Sequence, residues 1–368
     1  MRFLIPFLIL VPGIFSLLKA IKGRKFAALD GIDRVFAAVF FILLAVPGSY
    51  IHQKTVNKWE NRNYHKAPAL FIDGRLNRDF GTGFEKYFSD RIVGRKDFIN
   101  INFAIRRLNS RQTSEKALAG KDNWLFYKYD NSIANFKNES VFTADEKQAI
   151  LSYIKTLLSR NKNLYVFIAP DKNKIYGEFF PDTVQKVRPD EQSRTYDMIR
   201  LIRSETGVPV IYPYAELREA KKAGALLYYK HDTHWNPLGG YYGFRALVRE
   251  MNKTRPFPVL QTDDKDLVAD DYVVSDLARL FPGFKAEPVA YKKLKDFKAL
   301  PAKDLSVFVL TDSFYTAMIE YFAKSFKSVE THPYKKIKTL DWEKLEKADI
   351  VVLEVVERFL WRLNFDEV

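Results

Sequence analysis

Segments with helical and with strand periodicity alternate along the C-terminal two thirds of the chain. The segments with apolar residues at helical spacing are 143–160, 191–207, 215–224, 237–252 and 314–326. The short, continuously apolar runs are 163–170, 208–214 and 304–313, and a last strand runs into a helix over 348–360. Strands separated by helices predict an α/β fold with a mostly parallel sheet and helices on both faces.

In sheets of this kind, ligands bind at the carboxyl ends of the strands. Three polar stretches follow predicted strands, at 169–172, 311–313 and 355–358. Within the first, Asp171 and Lys172 are expected either to line a cleft or to form a surface ion pair. These three stretches are therefore the places where we expect chemistry.

Two apolar runs without a charged residue lie near the N-terminus, at 3–18 and 35–51. Each is close to the lower limit of the roughly 17–25 residues that span a bilayer. The basic segment between them, 19–34, predicts a cytoplasmic loop, so the chain after about residue 52 is expected outside the cytoplasm. A cleaved signal peptide and two buried core helices are the alternatives. Pro12-Gly13 leaves a re-entrant first run open.

The chain thus divides into three regions. Residues 1–51 are the predicted membrane anchor, 52–115 a polar stalk with a helical lead-in, and 116–368 the α/β domain. In the lead-in, the apolar spacing predicts two helices that break near Val93-Gly94. Residues 253–303 show no period and are expected to be an insertion or connecting loops.

The composition narrows the range of chemistry and of partners. The chain has no cysteine, which excludes disulfides, thiolate zinc sites and cysteine nucleophiles. Its net charge of +14 favours anionic partners such as lipid headgroups or acidic polysaccharide. We find no zinc finger, no RNP-like aromatic motif and no basic arm, so nucleic acid is not an expected partner.

Ser313 is a candidate nucleophile because it follows an apolar strand and precedes a helix. At a helix N-terminus, the backbone N–H groups and the helix dipole stabilise a developing negative charge. The sharper G-x-S-x-G elbow is absent here. The alternative is that Ser313, or Asp312 before it, only caps the helix.

The hexapeptide "HDTHWN", 231–236, holds two of the five histidines. The other three are expected in the stalk or in a loop: His52, His65 and His332. A serine nucleophile needs a histidine base with an orienting carboxylate, and His234 has Asp232 two residues upstream. A metal site would need a third ligand that this spacing does not supply, so none is expected. A polar turn capped by Asn236 is the structural alternative.

Together, "HDTHWNPLGGYYG" and "LTDSF" resemble the alginate O-acetyltransferase family, periplasmic enzymes that acetylate exopolysaccharides. The further stretches that resemble this family are 84–98, 120–130, 169–181 and 348–360. The Asp–His pair precedes the serine, as in the family's circularly permuted SGNH-hydrolase-like domain. The resemblance covers about residues 60–368, apart from 253–303.

The resemblance implies a three-layer α/β/α SGNH-hydrolase-like fold, preceded by N-terminal transmembrane helices. Ser313 matches the family's nucleophile, His234 its base and Asp232 the orienting acid. The residues for which site support or substrate contact is implied are Asp312, Trp235, Asn236, Arg358 and Lys172. Thr311 stands where the family has glycine, which puts the geometry of this loop in question.

The implied activity is transfer of acetyl groups to a cell-surface or exported polysaccharide through an acetyl-serine, without a cofactor. The implied partners are the polysaccharide acceptor, membrane lipid and a membrane-bound O-acyltransferase that supplies acetyl groups. The implied location is the bacterial inner membrane, with the catalytic domain in the periplasm. The alternatives are a carbohydrate acetyl esterase, a non-catalytic polysaccharide-binding or assembly protein, and a membrane-surface structural protein.

Overall fold

The computed structural model describes most of the chain after residue 61. The described residues are 62–92, 116–253, 276–281, 288–295 and 302–365, with short pieces at 56–57, 95, 97–98, 101, 114, 267–270, 284 and 297. They belong to two compact units, 1–111 and 112–368. The predicted anchor segments lie outside the described residues, and among the described ones no helix is both long and apolar enough to cross a bilayer.

In the first unit, the described residues form two short antiparallel hairpins and one helix. The elements are β1 (Val56–Asn57), β2 (Arg62–Asn63), β3 (Phe71–Ile72), β4 (Arg75–Leu76) and α1 (Phe80–Arg91). Helix α1 confirms the first of the two helices predicted for the lead-in. The second lies largely outside the described residues.

The second unit contains the α/β arrangement that the hydrophobic pattern predicts. Its elements are β5 (Ala117–Ala119), β6 (Leu125–Tyr127), α2 (Ser132–Lys137), α3 (Ala144–Arg160), β7 (Leu164–Ala169), α4 (Lys172–Ile175), α5 (Arg194–Thr206), β8 (Val210–Ile211), α6 (Tyr214–Lys222), α7 (Pro237–Met251), β9 (Leu267–Asp270), β10 (Tyr291–Leu294), β11 (Ala302–Thr311), α8 (Ile319–Ser325), β12 (Phe326–Pro333), α9 (Trp342–Lys347) and β13 (Ile350–Val356). Helical 3₁₀ turns at Ser313–Met318 and Glu357–Arg362 directly follow Asp312 and β13.

Five strands form a fully parallel sheet in the order β12-β11-β13-β7-β8. The registers of the central strands place Leu353 opposite both Leu310 and Val166. The mostly parallel α/β sheet predicted from the sequence is therefore confirmed. Because these strands are parallel, the carboxyl ends of β11, β13 and β7 lie at the same edge of the sheet.

Alternate residues of the central strands face two separate hydrophobic clusters. Val166 and Ile168 belong to the cluster that contains the apolar faces of α3, α5 and α9. Phe167 and Ala169 belong to the other, which α6, α7 and α8 complete. A two-residue period along a strand sends successive side chains to opposite faces, so helices cover the sheet on both sides.

Capping signals in the sequence coincide with observed helix ends. Thr143 and Glu146 form a reciprocal capping box at the start of α3. Asn236 caps α7 by accepting the Gly239 N–H at 2.9 Å, and Gly207 ends α5 in the left-handed region with a φ of 69°.

Two elements at the edge of the sheet differ from the prediction. Strand β12, in which only Phe326 is buried, is missing from the prediction because "FKSVETHP" has no continuous apolar run. The prediction that His332 lies in a loop is wrong, since it lies in this edge strand. The helix predicted over 314–326 begins as the 3₁₀ turn and becomes α-helical only in α8.

Candidate active site

Ser313 lies just beyond the carboxyl end of β11, at the edge of the sheet. Asp312 separates it from the strand, and Ser313 is the first residue of the 3₁₀ turn Ser313–Met318. Its side chain is exposed. As the first residue of a helical turn, its backbone N–H has no acceptor within that turn, which suits stabilisation of an oxyanion next to the Oγ.

Asp312 connects the 3₁₀ turn Ser313–Met318, called here the serine turn, to the neighbouring strand β13. Its Oδ1 accepts the Phe314 N–H at 2.8 Å, and its Oδ2 accepts the Val356 N–H at 2.8 Å. Its own N–H donates to Glu354 Oε2 at 2.9 Å. Asp312 therefore holds the direction of the turn relative to the end of β13.

Glu354 is a fully buried carboxyl group beneath this turn. Burial raises its pKa well above 4.5, and the charge of Asp312 raises the pKa further. Burial and the neighbouring negative charge therefore favour the protonated form of Glu354. Its Oε2 accepts the Asp312 N–H, and its buried Oε1 has no hydrogen-bond partner among the described residues. Glu354 was not predicted from the sequence, although a glutamate inside the apolar run "IVVLEVV" is a signal of a special environment.

The "HDTHWN" stretch forms a tight connection that leads into α7. Tyr228 pairs with Trp235, and the Tyr229 N–H donates to the His234 carbonyl at 3.2 Å. The Trp235 indole N–H donates to the Phe314 carbonyl at 2.8 Å. Trp235 therefore links this loop directly to the serine turn.

Close backbone packing also brings α7 against the serine turn. A Cβ at Gly240 would lie 2.4 Å from the Ala317 carbonyl oxygen. Only glycine fits at this contact, which explains one of the glycines in "PLGGYYG".

Asp232, His234 and Ser313 form one continuous chain of hydrogen bonds, called here the relay. His234 Nδ1 lies 2.6 Å from Asp232 Oδ1, and His234 Nε2 lies 2.8 Å from Ser313 Oγ. Asp232 is buried, whereas about a quarter of the His234 side chain is exposed. The Asp232 bond assigns the proton to Nδ1, which leaves Nε2 to accept the serine proton.

The electrostatics of the relay favour an ionised carboxylate next to the imidazole. Burial raises the pKa of Asp232, but hydrogen bonds from His234 and from the Asp276 N–H outweigh burial, so the pKa is lowered. The Asp276 N–H reaches Asp232 Oδ2 at 2.9 Å. A charged Asp232 next to the ring is the arrangement that would stabilise an imidazolium at His234.

Asp276 is a second carboxylate beside the relay and was not predicted from the sequence. Its oxygens accept the Thr233 N–H at 2.8 Å and the Thr233 hydroxyl at 2.6 Å. With Asp232 and His234 it forms a group whose potential ligand atoms lie within 4.8 Å of one another. The expectation that no third metal ligand lies near is therefore wrong. The donor atoms of this group are already engaged in hydrogen bonds, so a cation would have to displace the relay.

Comparison with known proteins identifies the family. The family model "SGNH hydrolase-like domain, acetyltransferase AlgX" matches residues 117–305, just over half of the chain. The chain belongs to this family. A probable alginate O-acetylase AlgJ from Azotobacter vinelandii is 27% identical over 189 residues, which are 50% of this chain and 45% of that relative. The match thus spans less than half of the relative's length.

Solved structures of related proteins resemble the chain at low identity. The O-acetyltransferase domain of Pseudomonas putida AlgJ is 19% identical, with 67% of this chain and 92% of that chain covered and a TM-score of 0.42. Pseudomonas aeruginosa AlgX is 14% identical, with 67% and 66% covered and a TM-score of 0.45.

Lys172 lies beneath the relay of this AlgX-family member rather than in a surface ion pair. It is 1% exposed, and its ammonium donates to the carbonyls of Tyr229 and Lys230 at 3.2 Å each and of Asp232 at 2.5 Å. Burial lowers its pKa to about 7, although the charge of Asp276 opposes this change. Lys172 therefore supports the loop that carries His234.

Arg358 is also buried, with an exposure of 3%. Its guanidinium forms an ion pair with Asp171 and lies 5.1 Å from the ring centroid of Phe314. The Asp171 N–H donates to Glu357 Oε1 at 2.7 Å. These contacts make Arg358 a supporting residue beside the serine turn.

Thr311 occupies the position where the resemblance expects glycine. It is the last residue of β11, paired in register with Pro333, so its backbone is extended. Any residue adopts this conformation without strain. The threonine therefore leaves the path of the chain into Asp312 and Ser313 undisturbed.

Proposed function

We propose that this chain is a membrane-anchored, extracytoplasmic O-acetyltransferase that acetylates a polysaccharide through an acetyl-Ser313 intermediate. The observation that carries the proposal is the relay, with 2.6 Å between Asp232 and His234 and 2.8 Å between His234 and Ser313. Membership of the AlgX acetyltransferase family supports acetyl transfer as the chemistry. No metal or cofactor takes part in the proposed reaction.

In the first half of the reaction, Ser313 takes the acetyl group from its donor. His234 Nε2 accepts the hydroxyl proton as Oγ forms a bond to the acetyl carbonyl carbon. The Ser313 N–H donates to the oxyanion, and Asp232 stabilises the imidazolium. The bond from the acetyl carbon to the donor's leaving atom then breaks, and His234 returns the proton to that atom.

In the second half, a sugar hydroxyl resolves the acetyl-serine. His234 accepts the hydroxyl proton, and the sugar oxygen forms a bond to the acetyl carbon. The bond between the acetyl carbon and Ser313 Oγ breaks, and His234 returns the proton to Oγ. The enzyme is restored, and the sugar carries the ester.

The location and the acetyl supply are part of the same proposal. The uncharged apolar runs at 3–18 and 35–51, with the basic segment 19–34 between them, support an anchor with the α/β domain outside the cytoplasm. Acetyl-CoA is cytoplasmic, so a membrane-bound O-acyltransferase is the proposed acetyl supplier. The name of the A. vinelandii relative, a probable alginate O-acetylase, supports a polysaccharide as the acceptor.

A carbohydrate acetyl esterase is the second candidate function. The exposure of the Ser313 side chain favours it, because water as well as a sugar hydroxyl reaches an acyl group at that position. The two functions share the first half of the reaction and differ only in the acceptor.

The test uses the full-length chain with a small acetyl-ester donor, with and without an oligosaccharide acceptor. We expect donor turnover that the acceptor accelerates, and loss of turnover in Ser313→Ala. Ser328→Ala, an exposed serine on β12, is the matched control.

Three results would contradict the proposal. Equal turnover by Ser313→Ala and the parent refutes the nucleophile. Acetate release that no acceptor changes identifies an esterase. Saccharide binding without any turnover in the parent identifies a binding protein.

A further inference from the structure

A concave site lies in the α/β unit, and neither Ser313 nor His234 lines it. This side groove has a volume of about 740 Å³. The lining residues that matter here are Lys128, Tyr129, Asp130, Glu146, Arg194 and Trp361. They come from the segment after β6, the first turns of α3 and α5, and the 3₁₀ turn Glu357–Arg362.

Arg194 is a buried cation in this groove whose donors are largely unused. It is 4% exposed, its Nε has no hydrogen-bond partner, and its Nη2 has only a 3.5 Å bond to the Arg358 carbonyl. Its guanidinium lies over the Phe142 ring, 4.6 Å from the ring centroid. It forms no ion pair with a carboxylate of the described residues, and Glu357, Glu146 and Asp171 act on it only at longer range. A buried charge of this kind is costly unless an acceptor satisfies it.

The position of Arg194 in the helix adds to this positive potential. It is the first residue of α5, a 13-residue helix, where the macrodipole is already positive. A cation at this end is unfavourable for the helix alone and favourable for an anion bound next to it.

The carboxylates that line the groove already have hydrogen-bond or ion-pair partners. Asp130 accepts from Arg362 at 3.0 Å and from the Tyr127 hydroxyl at 2.7 Å. Glu146 accepts the Thr143 N–H at 2.8 Å in the capping box of α3. Glu139 also lines the groove and pairs with Lys137 at 3.0 Å. Lys128 lines the groove without a side-chain hydrogen bond or ion pair to any described residue. Lys128 and Arg194 are therefore the cations of this lining that form no ion pair with a carboxylate of the described residues.

Two aromatic side chains complete the lining. Tyr129 is 48% exposed, and Trp361 is partly exposed. Aromatic faces pack well against the C–H faces of a sugar ring, and a guanidinium binds a carboxylate with two parallel hydrogen bonds. The chemistry of the groove thus matches a ring compound that carries a carboxylate.

We propose that the side groove binds an acidic glycan at a second place on the enzyme, with a sugar carboxylate on Arg194 and Lys128 and a sugar ring against Tyr129 and Trp361. The inference rests on the proposed function in taking a polysaccharide as the ligand. The turn Glu357–Arg362 borders the groove through Trp361, and its Arg358 lies next to Phe314 beside the relay. Binding in the groove would therefore hold the polymer close to Ser313.

A lipid headgroup is the other anionic ligand to consider. A bilayer presents its charges on a broad surface, whereas Arg194 is almost fully buried at the groove. An extended polymer enters such a groove more readily, so the glycan is the ligand to which we commit.

The test measures binding of a hexameric oligouronate to the full-length chain by calorimetry, with the carboxyl-reduced oligomer as the matched neutral probe. We expect the reduced oligomer to bind at least about tenfold more weakly, and Lys128→Glu, Tyr129→Ala and Arg194→Met each to weaken oligouronate binding about 10- to 100-fold. Lys327→Glu, at an exposed lysine of β12, is the control and should bind like the parent.

If Arg194→Met does not fold, the variants Lys128→Glu and Tyr129→Ala still test the inference. Unchanged oligouronate binding in Lys128→Glu and Tyr129→Ala, or equal binding of both oligomers, overturns the inference. Lys128-dependent sedimentation with phosphatidylglycerol vesicles, without oligouronate binding, overturns it in favour of lipid. Turnover of a small acetyl ester is measured in parallel. Turnover without groove binding refutes only this inference, and groove binding without turnover refutes only the proposed enzyme.

Discussion

The two halves of the relay are held in place in different ways. Ser313 follows the end of a central β-strand, and the sheet itself sets its position through β11 and β13. The loop of Asp232 and His234 has little regular structure, and buried polar side chains hold it instead. Lys172 donates to three of its carbonyls, and the Asp276 N–H donates to Asp232.

This difference suggests where each half is vulnerable. A strand end tolerates changes of side chain because the backbone ladder fixes it. A loop held by buried polar groups loses its geometry when one partner is removed, because the remaining groups are left unsatisfied. We therefore expect substitutions around the His234 loop to affect activity more than conservative ones beneath Ser313.

The largest effect on turnover is expected from substitution of Asp232, which bonds to the His234 imidazole. Asp232→Asn should reduce turnover by about 10³- to 10⁴-fold, because an amide neither fixes the imidazole tautomer nor stabilises the imidazolium. Asp276→Asn keeps an oxygen acceptor for Thr233 and should lose no more than about tenfold. Equal losses in the two variants, measured as steady-state ester turnover, would show that the assigned carboxylate is wrong.

The next largest effect is expected at Lys172. Lys172→Met leaves three loop carbonyls without their donor and should lower the free energy of unfolding by roughly 2–4 kcal/mol. Burial lowers the pKa of Lys172 to about 7 in the folded chain, whereas its ordinary pKa is 10.5. Between these two pH values the unfolded chain therefore binds more protons than the folded chain. The parent's advantage over Lys172→Met should therefore grow as the pH rises from 7 to 9. Urea unfolding at both pH values checks this, and an advantage that shrinks with pH would contradict it.

Glu354 tests the serine half. Glu354→Gln keeps an acceptor for the Asp312 N–H, so turnover should stay near the parent's. Because the pKa of Glu354 is raised, the folded parent holds a proton that the unfolded chain releases above about 4.5, and the parent loses stability as pH rises from there. The stability of Glu354→Gln relative to the parent should rise between pH 5 and 8 in thermal unfolding. A relative stability that is flat over this range would show that Glu354 is already ionised.

Glu354→Ala is the contrasting variant at the same position. It leaves the Asp312 N–H without an acceptor and opens a cavity, so it should cost about 2–3 kcal/mol of unfolding free energy. Full stability in this variant would argue against the buried hydrogen bond.

The smallest effect is expected at the helix caps. Asn236→Ala and Thr143→Ala should each cost about 1 kcal/mol of unfolding free energy, since each removes an N-cap. Only Asn236 lies next to the relay, so only its variant should also lose turnover. Equal turnover in both variants would show that α7 does not position the His234 loop.

Much of the fold could be predicted from the sequence. In the site, the relay residues could be predicted, but Asp276 and Glu354 beside them could not. Continuous apolar runs such as 163–170 and capping residues such as Thr143 are local signals, and their elements are confirmed. The exposed edge strand β12 lacks such a signal. Asp276 lies 44 residues after Asp232 in a segment without periodicity, so only the folded chain reveals that the two are neighbours.

Buried support residues were the hardest to predict. Lys172 follows a strand and looks like a surface residue in the sequence, yet it is almost fully buried beneath the loop. Its three acceptors are backbone carbonyls, which carry no mark in the sequence. The pairing of Asp232, His234 and Ser313 was predictable because few histidines had to be considered.

The central claim is that Ser313 carries the acetyl group during the reaction. The most direct measurement is mass spectrometry of the full-length chain, quenched in acid during turnover of an acetyl-ester donor and then digested. We expect one added acetyl group on the peptide that contains Ser313. This acetylated fraction should increase when the acceptor is omitted and should be missing in His234→Ala. An unmodified Ser313 peptide during sustained transfer, or an acetyl group on another residue, would contradict it.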